Sequence, residues 1–116
     1  MNVISSAQKT TISLDADLVT LVNVFKVEPE NQQQLVDMLV DATEEAMAKL
    51  PGFISANIHK SLDGEWVTNY AQWKSVEDFR AIFQNPTALE HMPKIGAIAE
   101  SSPVLYEVCY TKHAEH

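Results

Sequence analysis

The sequence predicts an α+β fold of the ferredoxin-like type, a four-stranded antiparallel sheet with its helices on one face. Three observations carry this. Four short segments rich in β-branched and aromatic residues alternate with helix-periodic segments in the order β-α-β-β-α-β. The two middle strand segments are joined by Leu62-Asp63-Gly64, whose Asp-Gly pair marks a tight hairpin. The 116 residues, 46% of them apolar, suit one domain with one modest core. In this arrangement strands one and three lie side by side in the middle of the sheet.

Residues 1–17 are polar and read as a flexible arm. Leu18 to Val27 (LVTLVNVFKV) is strand one. Glu28-Pro29 ends it, and proline suits the first turn of the helix that follows. From Glu30 to Leu50 the apolar residues Leu35, Leu39, Ala42, Ala46 and Leu50 recur at helical spacing. Val36, Val40 and Met47 lie beside them, with Asp37, Asp41, Glu44 and Glu45 on other faces. Pro51-Gly52 stops this helix. Phe53 to Lys60 is strand two, and Glu65 to Trp73 is strand three. Ser75, with Asp78 three positions on, resembles a capping box that opens a helix burying Phe79, Ile82 and Phe83. Asn85-Pro86 interrupts it. A further helical piece runs from about Thr87 to Glu100, bent at Pro93, and residues 85–100 form a candidate lid. Pro103 to Lys112 (PVLYEVCYTK) is strand four. The domain is therefore 18–112, with 113–116 as a tail.

Composition removes several functional classes. Lys and Arg number 8 against 16 Asp and Glu, a net charge of −8. Nucleic-acid phosphates and anionic membrane surfaces are held by clustered Lys and Arg, so neither is an expected partner. The three glycines, Gly52, Gly64 and Gly96, are scattered, unlike the glycine-rich loops of dinucleotide and P-loop sites. No apolar run approaches the ~20 residues of a membrane span. The polar N-terminal stretch does not read as a signal peptide. Cys109 is the single cysteine, suited to a reducing, cytoplasmic setting and read as a buried structural thiol. His59, at the end of strand two, and His113 with His116, in the tail, form no convincing metal set, so no metal is expected.

Strand parity isolates the chemistry. Val19, Leu21, Asn23, Phe25 and Val27 share one face of strand one, apolar except for Asn23. Val67, Asn69, Ala71 and Trp73 share one face of strand three, where Asn69 is the exception. With both faces turned to the helices, two carboxamides and an indole N–H enter an apolar chamber. A buried amide without a partner costs ~1–3 kcal/mol, so two on one apolar face suggest a ligand that supplies partners. The opposite face, with Leu18, Val22, Val24, Trp66 and Tyr70, is too apolar for open water and predicts a homodimer packed through it.

The segments LVNVFKVEP, LPGFISANIHKSLDG and WVTNYAQWKSVEDFR resemble the antibiotic biosynthesis monooxygenase domain family over about Leu18 to Tyr110. The resemblance implies a dimeric α+β barrel of two ferredoxin-like domains. Some members oxidise aromatic polyketides, converting an anthrone or naphthacenone phenol to a quinone with molecular oxygen and no metal, flavin or haem. Two asparagines and a tryptophan are implicated there, and they match Asn23, Asn69 and Trp73 as candidate catalytic residues. Leu21, Phe25, Ala71, Phe79, Phe83 and His91 are the candidate substrate-binding residues, with His91 on the pocket rim. An electron-rich phenol that loses a proton can itself donate an electron to oxygen. The protein then needs only to hold a flat apolar ring system, favour its anion and exclude water. No strong base is evident in the chamber, so substrate acidity is expected to supply much of the deprotonation. The related haem-degrading enzymes carry an iron-ligating histidine where this sequence has Phe83, which argues against haem. Quinol oxidation, isomerisation of a signalling molecule and a non-catalytic ligand-binding dimer stay open as alternatives.

Overall fold

The computed structural model describes residues 8–14 and 17–116. They form β1 (Val19–Val27), α1 (Gln32–Glu45), β2 (Phe53–Lys60), β3 (Trp66–Trp73), α2 (Val76–Arg80), α3 (Pro86–Gly96) and β4 (Ala99–Tyr106). Single 3-10 turns, Pro29–Asn31 and Met47–Lys49, flank α1, and the 3-10 segment Ala81–Gln84 joins α2 to α3. The strands pair antiparallel in the order β2-β3-β1-β4. This is the ferredoxin-like arrangement, with β1 and β3 central as the element order implies. Among the described residues no helix is long and apolar enough to cross a membrane.

The boundaries differ from the sequence expectation where neighbours overrule local pattern. The first helix stops at Glu45 instead of reaching Leu50: Ala46 leaves the helical region (φ −129°, ψ −65°), and Pro51 disfavours helical backbone at the residue before it. Leu50 is extended (φ −84°, ψ 144°), and only a 3-10 turn bridges the gap. Strand four starts at Ala99 and ends at Tyr106, where Pro103 to Lys112 is expected from sequence. Ala99 pairs with Val27 and Tyr106 with Thr20, so β1 sets its length, and pairing overrides the poor strand propensity of Ala99–Ser102. The preceding helix accordingly ends at Gly96 and not at Glu100. Residues 107–112 run beyond the start of β1, which leaves Cys109 exposed, not buried.

Two further departures concern α2 and the hairpin. Ser75 does cap α2, its Oγ accepting the Asp78 N–H at 3.1 Å. Ile82 is buried, but Phe83 is 51% exposed. Neighbours in a 3-10 turn are about 120° apart, so Ile82 aimed at the core leaves Phe83 on the flank. The β2–β3 connection is a longer loop than a two-residue turn. Gly64 takes φ +87° there, and the Asp63 carboxylate accepts from Ser61 Oγ and the Glu65 N–H. Those bonds, the serine's first, hold the Asp63 carboxyl below the usual carboxylate range.

The core on the helix-covered face comes in two parts. One gathers Leu21, Ala46, Ala71, Trp73, Ile82 and Ala88. The other gathers Phe25, Val27, Leu35, Leu39 and Val67. The opposite face is partly covered by the chain itself. Thr10 Oγ1 donates to Asn57 Oδ1 at 2.6 Å, and Gln72 Nε2 donates to the Thr11 carbonyl at 2.9 Å. Residues 1–7 and 15–16 of the expected arm lie outside the described residues. On the same face Trp66, Val104 and Tyr106 stay exposed, with Lys26 Nζ 4.7 Å from the Trp66 ring centroid.

Candidate active site

Register brings the two carboxamides face to face. Asn23 lies directly opposite Asn69, and directly opposed residues hold their Cβ atoms about 4.5–5.5 Å apart. To one side of this row Leu21 meets Ala71 and Val19 meets Trp73; to the other, Phe25 meets Val67. The asparagine pair therefore marks the line between the two parts of the core. A cavity of ≈ 270 Å³ opens there between the sheet and the helices, near the small end of the range for ligand pockets.

Asn23, Asn69 and Trp73 all line this cavity, and so do Leu21, Phe25, Ala71, Phe79, Phe83 and His91. The sequence reading missed Glu45, the partner of His91, and Thr43, Met92, Ile95, Ser101 and Pro103 of the wall. Ser101 and Pro103 were hidden by the misplaced start of strand four. From Ala99 the alternation turns both inward, with Ser101 opposite Phe25 and Pro103 opposite Asn23.

The polar groups of the chamber differ in how they are satisfied. Asn23 Oδ1 accepts the Ser102 N–H at 3.1 Å. That bond fixes the carboxamide and leaves its NH2 free to donate. Asn69 Oδ1 and Trp73 Nε1 are buried and have no hydrogen-bond partner among the described residues. An acceptor and a donor thus stand open in an apolar cavity. A half-turn of the Asn69 amide offers NH2 in place of oxygen, so it can accept from a phenol or donate to a phenolate.

Trp73 is held by the segments on either side of β3. Its ring meets Phe53 edge-on at 5.3 Å and Phe79 at 6.3 Å, centroid to centroid. Phe79 in turn meets Phe83 at 5.7 Å. Phe53 follows the Pro51-Gly52 helix stop, and Phe79 lies in the helix that Ser75 caps. The PGF and Ser-Val-Glu-Asp-Phe motifs therefore work as a mount for the indole.

His91 stands apart from the aromatic wall. Its side chain is only 13% exposed and lines the cavity from α3. Its Nε2 lies 3.1 Å from Glu45 Oε1 on α1. His91, expected on the pocket rim, is a cavity-lining imidazole that stands beside a carboxylate. Helix periodicity alone does not reveal that α1 and α3 meet at these two residues. Among the described residues, no three His, Cys, Asp or Glu side chains come together as metal donors.

Comparison with known proteins points the same way. Residues 18–94 match the family model for antibiotic biosynthesis monooxygenases. The tetracenomycin-F1 monooxygenase of Streptomyces glaucescens is 46% identical over 101 residues, covering 87% of this chain and 90% of that protein. The Streptomyces coelicolor monooxygenase ActVA-Orf6, solved with the ligand nanaomycin D, superposes with a TM-score of 0.75 at 28% identity, covering 84% of this chain and 93% of that one. SnoaB, a cofactor-independent oxygenase from Streptomyces nogalater, gives a TM-score of 0.69 at 26% identity, covering 83% and 97%. With a matching fold, a family model over most of the domain and close sequence identity across nearly the whole chain, the protein belongs to the antibiotic biosynthesis monooxygenase family.

Proposed function

We propose that the protein is a cofactor-free monooxygenase that converts the reactive carbon of an anthrone- or naphthacenone-type phenol to a quinone carbonyl with molecular oxygen. The observation that carries this is the pair of open polar atoms, Asn69 Oδ1 and Trp73 Nε1, buried in an otherwise apolar cavity. The names of the relatives above support the substrate class and the absence of a cofactor. The electron count also supports it. Oxidation of a ring CH2 to C=O releases four electrons, and dioxygen takes up four. One oxygen atom enters the product and the other leaves as water, so no outside reductant is required.

The residues divide the work. Leu21, Phe25, Phe79 and Phe83 hold the flat ring system and keep water out. Loss of a proton gives a delocalised anion whose charge sits largely on oxygen. Asn69 and Trp73 supply hydrogen bonds to that oxygen, or to the reduced dioxygen that forms beside it. Asn23, fixed by Ser102, points a further donor from the neighbouring strand. Neutral donors suit this task because they stabilise the anion without adding titratable charge.

The test is oxygen consumption by the purified protein with a panel of anthrones, naphthacenones and hydroquinones, followed by mass spectrometry of products made under ¹⁸O2. One labelled oxygen in the product is the expected result. Oxygen uptake without label would mean quinol oxidation, and turnover without oxygen would mean isomerisation. Asn23→Ala and Trp73→Phe are each expected to lower kcat by ~10-fold or more, as for groups that act in the transition state. An unchanged kcat with a raised KM would reduce them to positioning groups.

We also infer a homodimer through the outer sheet face. Support comes from the exposed Trp66, Val104 and Tyr106 beside Val22, Val24 and Tyr70, a patch that the helices cannot reach. Tyr70→Asp places a charge in this face and is expected to weaken the dimer by at least ~10-fold in sedimentation, since an unpaired buried charge costs several kcal/mol. Asp37→Asn, on the exposed side of α1, is expected to leave it unchanged. A wild-type monomer at micromolar concentration would rule the interface out. The exposed free thiol of Cys109 is compatible with the reducing cytoplasm proposed as its setting.

A further inference from the structure

We propose that His91 is the general base that takes the substrate's proton, and that Glu45 is the positioning residue that orients it. This rests on the monooxygenase reading and adds the step that reading leaves open, namely where the proton goes. The described residues lining the cavity include no Asp, Glu, Lys, Arg, Tyr or Cys, and His91 is the one titratable side chain among them. A proton leaving a substrate held in the cavity therefore has a single titratable side chain there to accept it. The carboxamides of Asn23 and Asn69 and the indole of Trp73 are far too weakly basic to take it.

The geometry suits the role. Glu45 Oε1 lies 3.1 Å from His91 Nε2. A carboxylate only accepts, so the neutral imidazole that suits this contact is the tautomer with its hydrogen on Nε2 and its lone pair on Nδ1. The imidazole is 13% exposed while the glutamate is 62% exposed, so the pair spans the wall from cavity to solvent. The other charged groups nearby on α3, Glu90 and Lys94, are exposed. The sheet presents no charged side chain to the cavity, and neither do α2 or the 3-10 segment after it.

The proton balance is complete. His91 Nδ1 takes a proton from the substrate CH2 or its phenol tautomer, leaving the carbanion and an imidazolium beside the Glu45 carboxylate. The carbanion passes its electrons to dioxygen, and the two join as a peroxide anion on carbon. The imidazolium returns its proton to that peroxide. Loss of the remaining C–H proton with cleavage of the O–O bond then gives the carbonyl and water. His91 ends the cycle neutral.

The probe is dithranol, a hydroxyanthrone, with the whole protein. Two measurements are made. Under anaerobic conditions the absorbance band of the bound anion reports proton transfer without turnover. Oxygen uptake across pH reports catalysis. Wild type is expected to form the anion on binding. His91→Gln is expected to form at most a tenth as much at neutral pH and to lose ~10²-fold in kcat with KM within about 3-fold, typical of removing a general base. The deficit is expected to close as pH rises past the phenol's own ionisation, where no base is required. His91→Ala is expected to regain activity with added imidazole. Glu45→Gln is expected to lose about 10-fold in kcat, less than the base itself, the lower end of what partners that orient an imidazole contribute at metal sites. Glu90→Gln is expected to change nothing. A His91→Gln loss that is constant with pH, or an anion band equal to that of wild type, would overturn the assignment. If wild type forms the anion and His91→Gln does not, yet wild type takes up no oxygen, His91 stands as the base and the monooxygenase reading falls. If wild type does neither, both fall.

Discussion

Asn69→Leu is expected to lower kcat by ~10²–10³-fold, the usual loss for one pre-set hydrogen-bonding group at a developing oxyanion. The same substitution is expected to make the fold more stable. Asn69 Oδ1 is buried and has no protein partner. A buried polar atom left unpaired costs about 1–3 kcal/mol, and an apolar group of similar shape removes that cost. Ile58 and Asn23 flank this position across the sheet, and Val67 and Ala71 share its face, so leucine meets apolar neighbours on most sides. The gain is expected to appear as a rise of roughly 4–8 °C per kcal/mol in the melting temperature. Activity and thermal melting thus move in opposite directions in one variant. An Asn69→Leu protein with lower Tm and unchanged kcat would show that the amide serves the fold and not the chemistry.

Gly52→Ala is expected to destabilise the protein by about 2–3 kcal/mol, with two causes that add. Gly52 takes φ +84°, where a residue with a Cβ is strained. A Cβ there would also overlap the Asp78 side chain, which Ser75 Oγ holds at 3.0 Å. Asp78 would have to move, and the cap on α2 would loosen with it. The Gly52 carbonyl also accepts the Lys74 N–H at 2.7 Å, tying the helix stop to the residue after Trp73. The expected signs are a lower denaturant midpoint and a raised KM for aromatic substrates, because Phe53 and Phe79 both lean on Trp73. A midpoint equal to that of wild type would mean that the loop relaxes freely around the methyl group.

The inward face of the sheet was legible in the sequence because strand parity is a rigid code. Once Leu18–Val27 and Glu65–Trp73 are strands, Asn23 falls on the apolar face of one and Asn69 with Trp73 on the apolar face of the other, and burying both apolar faces under the helices puts them on one side; the register that sets the two asparagines opposite each other came only with the structure. What escaped depends on contacts distant in sequence. Ala99–Ser102 has no local reason to be extended, and only the free edge of β1 makes it so. Phe83 looked buried on an α-helical period, yet a 3-10 segment turns it outward. The pairing of His91 with Glu45 is a property of how α1 and α3 cross, which neither helix encodes alone. Cys109 followed from the strand misplacement, since a residue beyond the last rung of the ladder has nothing to bury it.

The asparagine row lies along a seam between two blocks of core that each pack well without it. Thr43, Ser101 and Pro103 line the cavity on that seam yet belong to neither block. Changes at such positions alter the shape of the bound ring system while leaving most of the folding energy untouched. A small chain with this construction can trade one polycyclic substrate for another through a few side chains, without first having to become more stable. In the proposed reaction the substrate supplies the electrons, so the chemistry would move with the substrate.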